Sequence, residues 1–125
     1  MRQEVKNWWE QSKKDLHKAE VLYKTDDYDG VAFYCKQSVE KALKAVIILK
    51  TKENVFGHSL VHLGKTAKIT PDFSTGLRKL SPQYFLSRYP DASEEVPFEL
   101  YDKATADEFL SIARGVLEWT EKQLA

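Results

Sequence analysis

The stretch YDGVAFYCKQSVEKALKAVIILK, Tyr28 to Lys50, sets Val31, Ala32, Cys35, Val39, Ala42, Val46 and Leu49 three or four residues apart. That spacing lines them along one face of an α-helix. Phe33, Leu43 and Ile47 widen the apolar surface beyond a single stripe, so this helix is expected to be central and packed on more than one side. Asp27 stands where an N-cap is needed, and Asp29 falls in the first turn, where the helix dipole favours an acid. Lys50 and Lys52 suit the opposite end, and Gly57 marks the break beyond it.

Working outward, Val5, Trp8, Trp9, Leu16, Ala19, Leu22 and Tyr23 predict a first helix from Arg2 to about Lys24. A short third helix is expected from His58 to about Lys68, with Leu60, Leu63 and Ala67 inward. Gly64 weakens it by about 1 kcal/mol relative to alanine. Thr70-Pro71-Asp72 starts a fourth helix that buries Phe73, Leu77 and Leu80, is kinked or split near Pro82, and continues through Tyr84, Phe85 and Leu86. Arg88 to Tyr101 holds two prolines, four acids and no helical period, and is expected to be the longest loop. Thr105 and Glu108 form a candidate capping box for the last helix, with Asp102 as an alternative start. Ala106, Phe109, Leu110, Ala113, Val116, Leu117 and Leu124 mark its buried face. No segment alternates as a strand would. The expected fold is all-α: an antiparallel up-and-down bundle of four long helices plus one short helix, forming one domain over residues 1–125.

Composition narrows the function. A chain of 125 residues supports one apolar core. Nineteen basic residues balance nineteen acidic ones, so no global field draws the molecule to phosphate backbones or anionic membranes, and any nucleic-acid site must be local. The charge is nevertheless uneven. Residues 36–68 carry seven lysines and two glutamates, while residues 91–108 carry seven acids and one lysine. Such patches can dock a partner or a second copy, or pair within the monomer, and the acidic one repels RNA near Arg88. The single cysteine, Cys35, excludes an internal disulfide. The longest apolar run, Val46 to Leu49, is far short of the roughly 20 residues of a membrane span. A cytoplasmic protein without a membrane partner is expected.

The segment FYCKQSVEKALKA, residues 33–45, resembles the second-helix signature of the HEPN family, the higher eukaryotes and prokaryotes nucleotide-binding domain. The likeness continues in order through His58-Ser59-Leu60, Ser87-Arg88-Tyr89-Pro90-Asp91 and the Ala-rich last helix. The resemblance implies a helical bundle, commonly a homodimer, often paired with a minimal nucleotidyltransferase as a toxin–antitoxin-like system. Many members of the wider superfamily cleave RNA without a metal, using an arginine followed, after four to six residues, by a histidine. The four arginines here are Arg2, Arg78, Arg88 and Arg114, and none has a histidine in that window. The group that would serve as acid or base is missing from that motif.

The candidate ligand-binding residues are Arg88, Tyr89 and Asp91, at the junction of a helix and a long loop, and Gln37, Lys41 and Lys44, on the polar stripe of the second helix. Arg88 offers a planar fork for a phosphate and Tyr89 a stacking face. The competing reading pairs Arg88 with a carboxylate and makes Tyr89 a loop anchor. For the lysines, the competing reading is a solvated face with Glu40 and Lys44 paired four residues apart. His58 and His62, also four apart, lack a third metal ligand, and Cys35 reads as a small buried hydrophobe. No catalytic residue, metal or cofactor is assigned, and a nucleotide is the expected ligand. The expected function is a non-catalytic HEPN-like module that dimerises, pairs with a minimal nucleotidyltransferase and binds nucleotide or RNA. The alternatives are a metal-independent ribonuclease with a rewired site, using Arg88 with a tyrosine or His58, and a purely structural interaction bundle.

Overall fold

Helix α2 (Tyr28–Thr51) runs through the middle of the molecule because almost every residue from Val39 to Ile48 is buried, polar ones included. The structure is a computed structural model describing all 125 residues. Around α2 lie α1 (Gln3–Lys24), α3 (Leu60–Ala67), α4 (Ser74–Leu80), α5 (Gln83–Leu86), α6 (Pro90–Ser93) and α7 (Lys103–Leu124). Single 3₁₀ turns stand at Pro71–Phe73 and Pro97–Leu100, and there is no strand. No helix is long and apolar enough to cross a membrane.

The packing partners give the directions. Val5 meets Ala45 and Ile48, Ser12 meets Ser38, and the Leu22 side chain lies against Gly30, so α1 and α2 are antiparallel. Arg114 bonds Glu20 at 3.1 Å and Tyr23 bonds Asp107 at 2.5 Å, so α7 also opposes α1 and runs with α2. The short elements between residues 52 and 102 make the return. Their Leu60, Leu63, Leu77 and Leu80 join Val39, Leu43 and Val46 of α2 and Phe109, Leu110 and Val116 of α7 in one core. Each of these buried side chains contributes roughly 1.5–3 kcal/mol.

The all-helical expectation holds, and α1 and α2 start and end within a residue of the sequence reading. Three local expectations change. The third helix begins at Leu60, because Ser59 keeps an extended backbone (φ −70°, ψ 116°) and its hydroxyl accepts the His62 N–H at 3.3 Å. The fourth long helix is found in pieces, a 3₁₀ turn followed by α4 and α5, with the expected split at Ser81 and Pro82. The span from Arg88 to Tyr101 is not one loop: Pro90 opens α6 and Pro97 opens a 3₁₀ turn. A proline at the first helical position is pre-set for the turn and sacrifices a donor that would be unpaired anyway. The last helix takes the Asp102 start, with Asp102 accepting from the Thr105 N–H and Thr105 returning the bond.

Candidate functional site

Lys36, Glu40 and Lys44 stand four residues apart and therefore share one face of α2. The Glu40–Lys44 pair forms at 3.0 Å as the spacing suggests, but it is not solvated: Lys36, Glu40 and Lys44 are only 2%, 6% and 5% exposed. Lys36 donates to the other carboxylate oxygen, Oε1. His58 adds a third partner, its Nδ1 lying 2.9 Å from Oε2. Burial alone would raise the Glu40 carboxyl, but the hydrogen bonds from Lys36, His58 and Lys44 outweigh it and hold the group below the usual carboxylate value. Gly57, at φ +99°, makes the turn immediately before His58 in a backbone region that favours glycine. The His58 side chain is 79% exposed. With Nδ1 turned to the carboxylate, Nε2 is the ring nitrogen left for another partner.

Lys36, Gln37 and Glu40 line one side of a cleft of about 1040 Å³. The turn at His58 and Ser59 borders it, and α5 and α6 supply the remaining wall through Tyr84, Phe85, Tyr89 and Asp91. The rings form a ladder: Phe33 to Tyr84 at 5.4 Å, Tyr84 to Phe85 at 5.1 Å and Phe85 to Tyr89 at 6.2 Å between centroids. Phe85 and Tyr89 are 62% and 43% exposed, so their faces are not consumed by the core. The Lys36 ammonium lies 5.8 Å from the Tyr84 centroid, within cation–π range.

Four residues of α5 do not hold themselves in place, since isolated short helices are unstable in water. Gln83 does the anchoring. It is buried, donates to the Lys79 carbonyl at 3.1 Å and accepts from the Tyr101 hydroxyl, while the Ser87 hydroxyl donates to its carbonyl. Burial, helped by the charge of Asp29, pushes the Tyr101 phenol up to about 12, so it remains a donor at neutral pH.

The structure divides the sequence candidates. Gln37, Tyr89 and Asp91 meet in the cleft. Lys44 stands behind it, reaching it through Glu40, with its ammonium 5.4 Å from the Trp8 ring. Lys41 turns to α1 and bonds Asp15, which is 2% exposed. Arg88 is exposed and bonds no carboxylate; its guanidinium lies 4.5 Å from the Phe33 centroid, on the ladder but outside the cleft lining. His62 is on exposed α3 surface, and His58 precedes that helix, so the two do not share a helix face. Cys35 is fully buried, and burial pushes its thiol up to about 12. Lys36 was missed as a site residue, and Glu40 and His58 were not assigned together. The four-residue spacing of 36, 40 and 44 was the available signal.

A smaller cavity of about 330 Å³ between α1 and α7 holds two pairs, Arg114 with Glu20 and Asp107 with Tyr23. Of the acidic stretch, Asp102 caps α7 and Glu108 pairs with Lys79 at 2.8 Å.

Comparison with protein-family models matches residues 5–123 to the HEPN domain. The chain is 32% identical, over 120 residues, to a protein of Methanocaldococcus jannaschii named Putative toxin MJ1304, covering 86% of this chain and 79% of that protein. Among solved structures, TT1696 from Thermus thermophilus superposes with a TM-score of 0.90 at 26% identity, over 98% of this chain and 99% of its own. ST0689, described as an archaeal HEPN homologue, superposes with a TM-score of 0.82 at 32% identity over the full length of both chains.

Proposed function

The chain belongs to the HEPN domain family, and on that premise we propose that it is the toxin-like member of a toxin–antitoxin-like pair whose cleft binds nucleotide or RNA. In this reading it acts as a homodimer, its partner is a minimal nucleotidyltransferase, and it catalyses no reaction itself. One observation carries the ligand class: the cleft places a buried ammonium, Lys36, and two exposed rings, Phe85 and Tyr89, around one volume. A nucleotide brings the matching parts, an anionic phosphate and a flat base that stacks on aromatic side chains. The likeness to a relative named as a toxin supports the paired system. The missing Arg-x4–6-His motif supports a module without ribonuclease chemistry of that type. Native protein isolated from its own cells is expected to carry a nucleotidyltransferase, identified by mass spectrometry of the complex, and a nucleotide. Recovery of the protein alone, without either, contradicts this reading.

A ribonuclease is favoured by one specific observation, the His58 ring held by Glu40 at 2.9 Å and open on its other side. That is the arrangement of an oriented general base. Cleavage of end-labelled RNA in the presence of a chelator, abolished by His58→Asn, is the result that installs it. Activity unchanged by that substitution removes it.

A further inference from the structure

The polar stripe of α2 holds more positive charge than its surroundings neutralise. Lys36 and Lys44 are both buried, and each has Glu40 as its sole carboxylate partner. The remaining neighbours of their ammonium groups are ring faces, Tyr84 for Lys36 and Trp8 for Lys44. A buried cation without a counter-charge is costly, and a fold that needed only to satisfy Glu40 could do so with one lysine. The two lysines against one carboxylate leave a net positive charge, and Lys36 lines the cleft together with His58 while Lys44 does not.

We propose that Lys36 and His58 form a subsite for a terminal phosphomonoester dianion, with Glu40 and Lys44 as positioning residues that hold them at this end of the cleft. The assignment rests on reading the cleft as a nucleotide site and names the end of the ligand received there. The imidazole Nε2, on the exposed edge of His58, makes the direct hydrogen bond. The Lys36 ammonium, on the cleft lining against the Tyr84 ring, supplies the charge. Asp91, on α6, also lines the cleft; it repels a phosphate, and its carboxylate can accept from ribose hydroxyls or base amino groups. The base stacks on the exposed rings of Phe85 and Tyr89. A phosphomonoester dianion presents three unesterified oxygens and two charges to the ammonium and the imidazole, whereas a phosphodiester presents two oxygens and one charge.

Calorimetric titration of the full chain with AMP, adenosine, inorganic phosphate and an oligouridylate lacking terminal phosphates tests this. AMP is expected to bind at least tenfold more tightly than adenosine, inorganic phosphate to compete, and the oligouridylate to gain nothing over adenosine. His58→Asn and Lys36→Met each abolish the preference for AMP, while Lys14→Ala, which removes an exposed lysine of α1, preserves it. If Lys36→Met loses its helical circular dichroism, His58→Asn, at an exposed position, decides alone. Equal binding of AMP and adenosine overturns the subsite but leaves the nucleotide reading standing. Binding of inorganic phosphate that depends on Lys36 and His58, with no gain for AMP, keeps the subsite and overturns the nucleotide reading. An oligouridylate that binds as tightly as AMP assigns the cleft to the RNA backbone and overturns the dianion.

Discussion

Glu40 is the residue on which fold and site both depend, because three cationic or ionisable side chains converge on its two oxygens. Glu40→Gln leaves two buried ammoniums without a counter-charge and is expected to lower unfolding stability by about 3–5 kcal/mol. Lys36→Met removes the excess charge and keeps Glu40 paired with Lys44 and His58, so its change is expected to stay within about 1 kcal/mol. Urea denaturation of the two variants checks the contrast, and equal losses contradict it. The pH dependence follows from the sign of the shift. A carboxyl whose folded value lies below its unfolded value contributes fully above the unfolded value, about 4.3, and loses the contribution as pH falls through the folded one. Acid melting of the native protein is therefore expected to show a loss below about pH 4 that is absent from Glu40→Gln. Cys35 makes a simpler case: with its thiol raised to about 12 by burial, it is expected to resist alkylation until the chain is unfolded in denaturant. At this scale the sequence was legible for apolar residues and poorly legible for polar ones. Val39, Ala42 and Val46 announce their burial through periodicity. Lys36, Glu40, Ser12 and Asp15 are buried by what packs over them from elsewhere in the chain, and no local pattern records that. Ser12 and Ser38 illustrate it, each hydroxyl donating to the other's backbone carbonyl at 2.7 Å across the α1–α2 seam.

Among the elements, the three long helices are fixed by local chemistry and the middle segment by contacts. Periodicity places α1, α2 and α7 because each is long enough for its stripe to repeat several times. Helix α7 adds a side-chain cap at Asp102, whereas Asp27, expected to cap α2, stands at the N-cap position without a capping bond and accepts from the Thr25 hydroxyl instead. The segment from Pro71 to Leu100 is a series of short turns, each opened by a proline or pinned by a side chain such as Gln83, and a repeat cannot establish itself in four to seven residues. Gly64 shows how contact overrides propensity. An alanine there improves the intrinsic helix preference by about 1 kcal/mol, but its Cβ would fall 2.6 Å from Leu77 Cδ1 and 3.2 Å from Ile69 Cγ2. Leu77 is buried and cannot swing away. Gly64→Ala is therefore expected to destabilise by about 1–3 kcal/mol, read from the urea midpoint. A stabilised variant would show that α3 and α4 are not so closely packed. At the start of α7, Asp102→Ala is expected to lower the melting temperature and Glu108→Ala to leave it nearly unchanged, since the capping bonds run between Asp102 and Thr105.

Over the whole molecule, a balanced net charge conceals a local asymmetry in which buried lysines sit beside a cleft that Asp91 of α6 lines from the other wall. Three of the twelve residues that line that cleft could be named in advance. Gln37, Tyr89 and Asp91 were reachable from sequence because they lie on a polar stripe and at a helix–loop junction. Arg88 and Lys41 were equally plausible by residue type, yet one stacks on Phe33 and the other bonds Asp15, outcomes set by the direction in which each side chain leaves the backbone. Lys36 and His58 came together only when the turn at Gly57 folded against α2. That the cleft, and no other surface, is where this bundle meets its ligand is tested most directly by titrating isotope-labelled protein with AMP and mapping the amide shifts. The expected result is a saturating response confined to Gln37, His58, Tyr84, Tyr89, Asp91 and their neighbours. Shifts centred between α1 and α7 near Glu20 and Arg114, or no shifts at all, would contradict it.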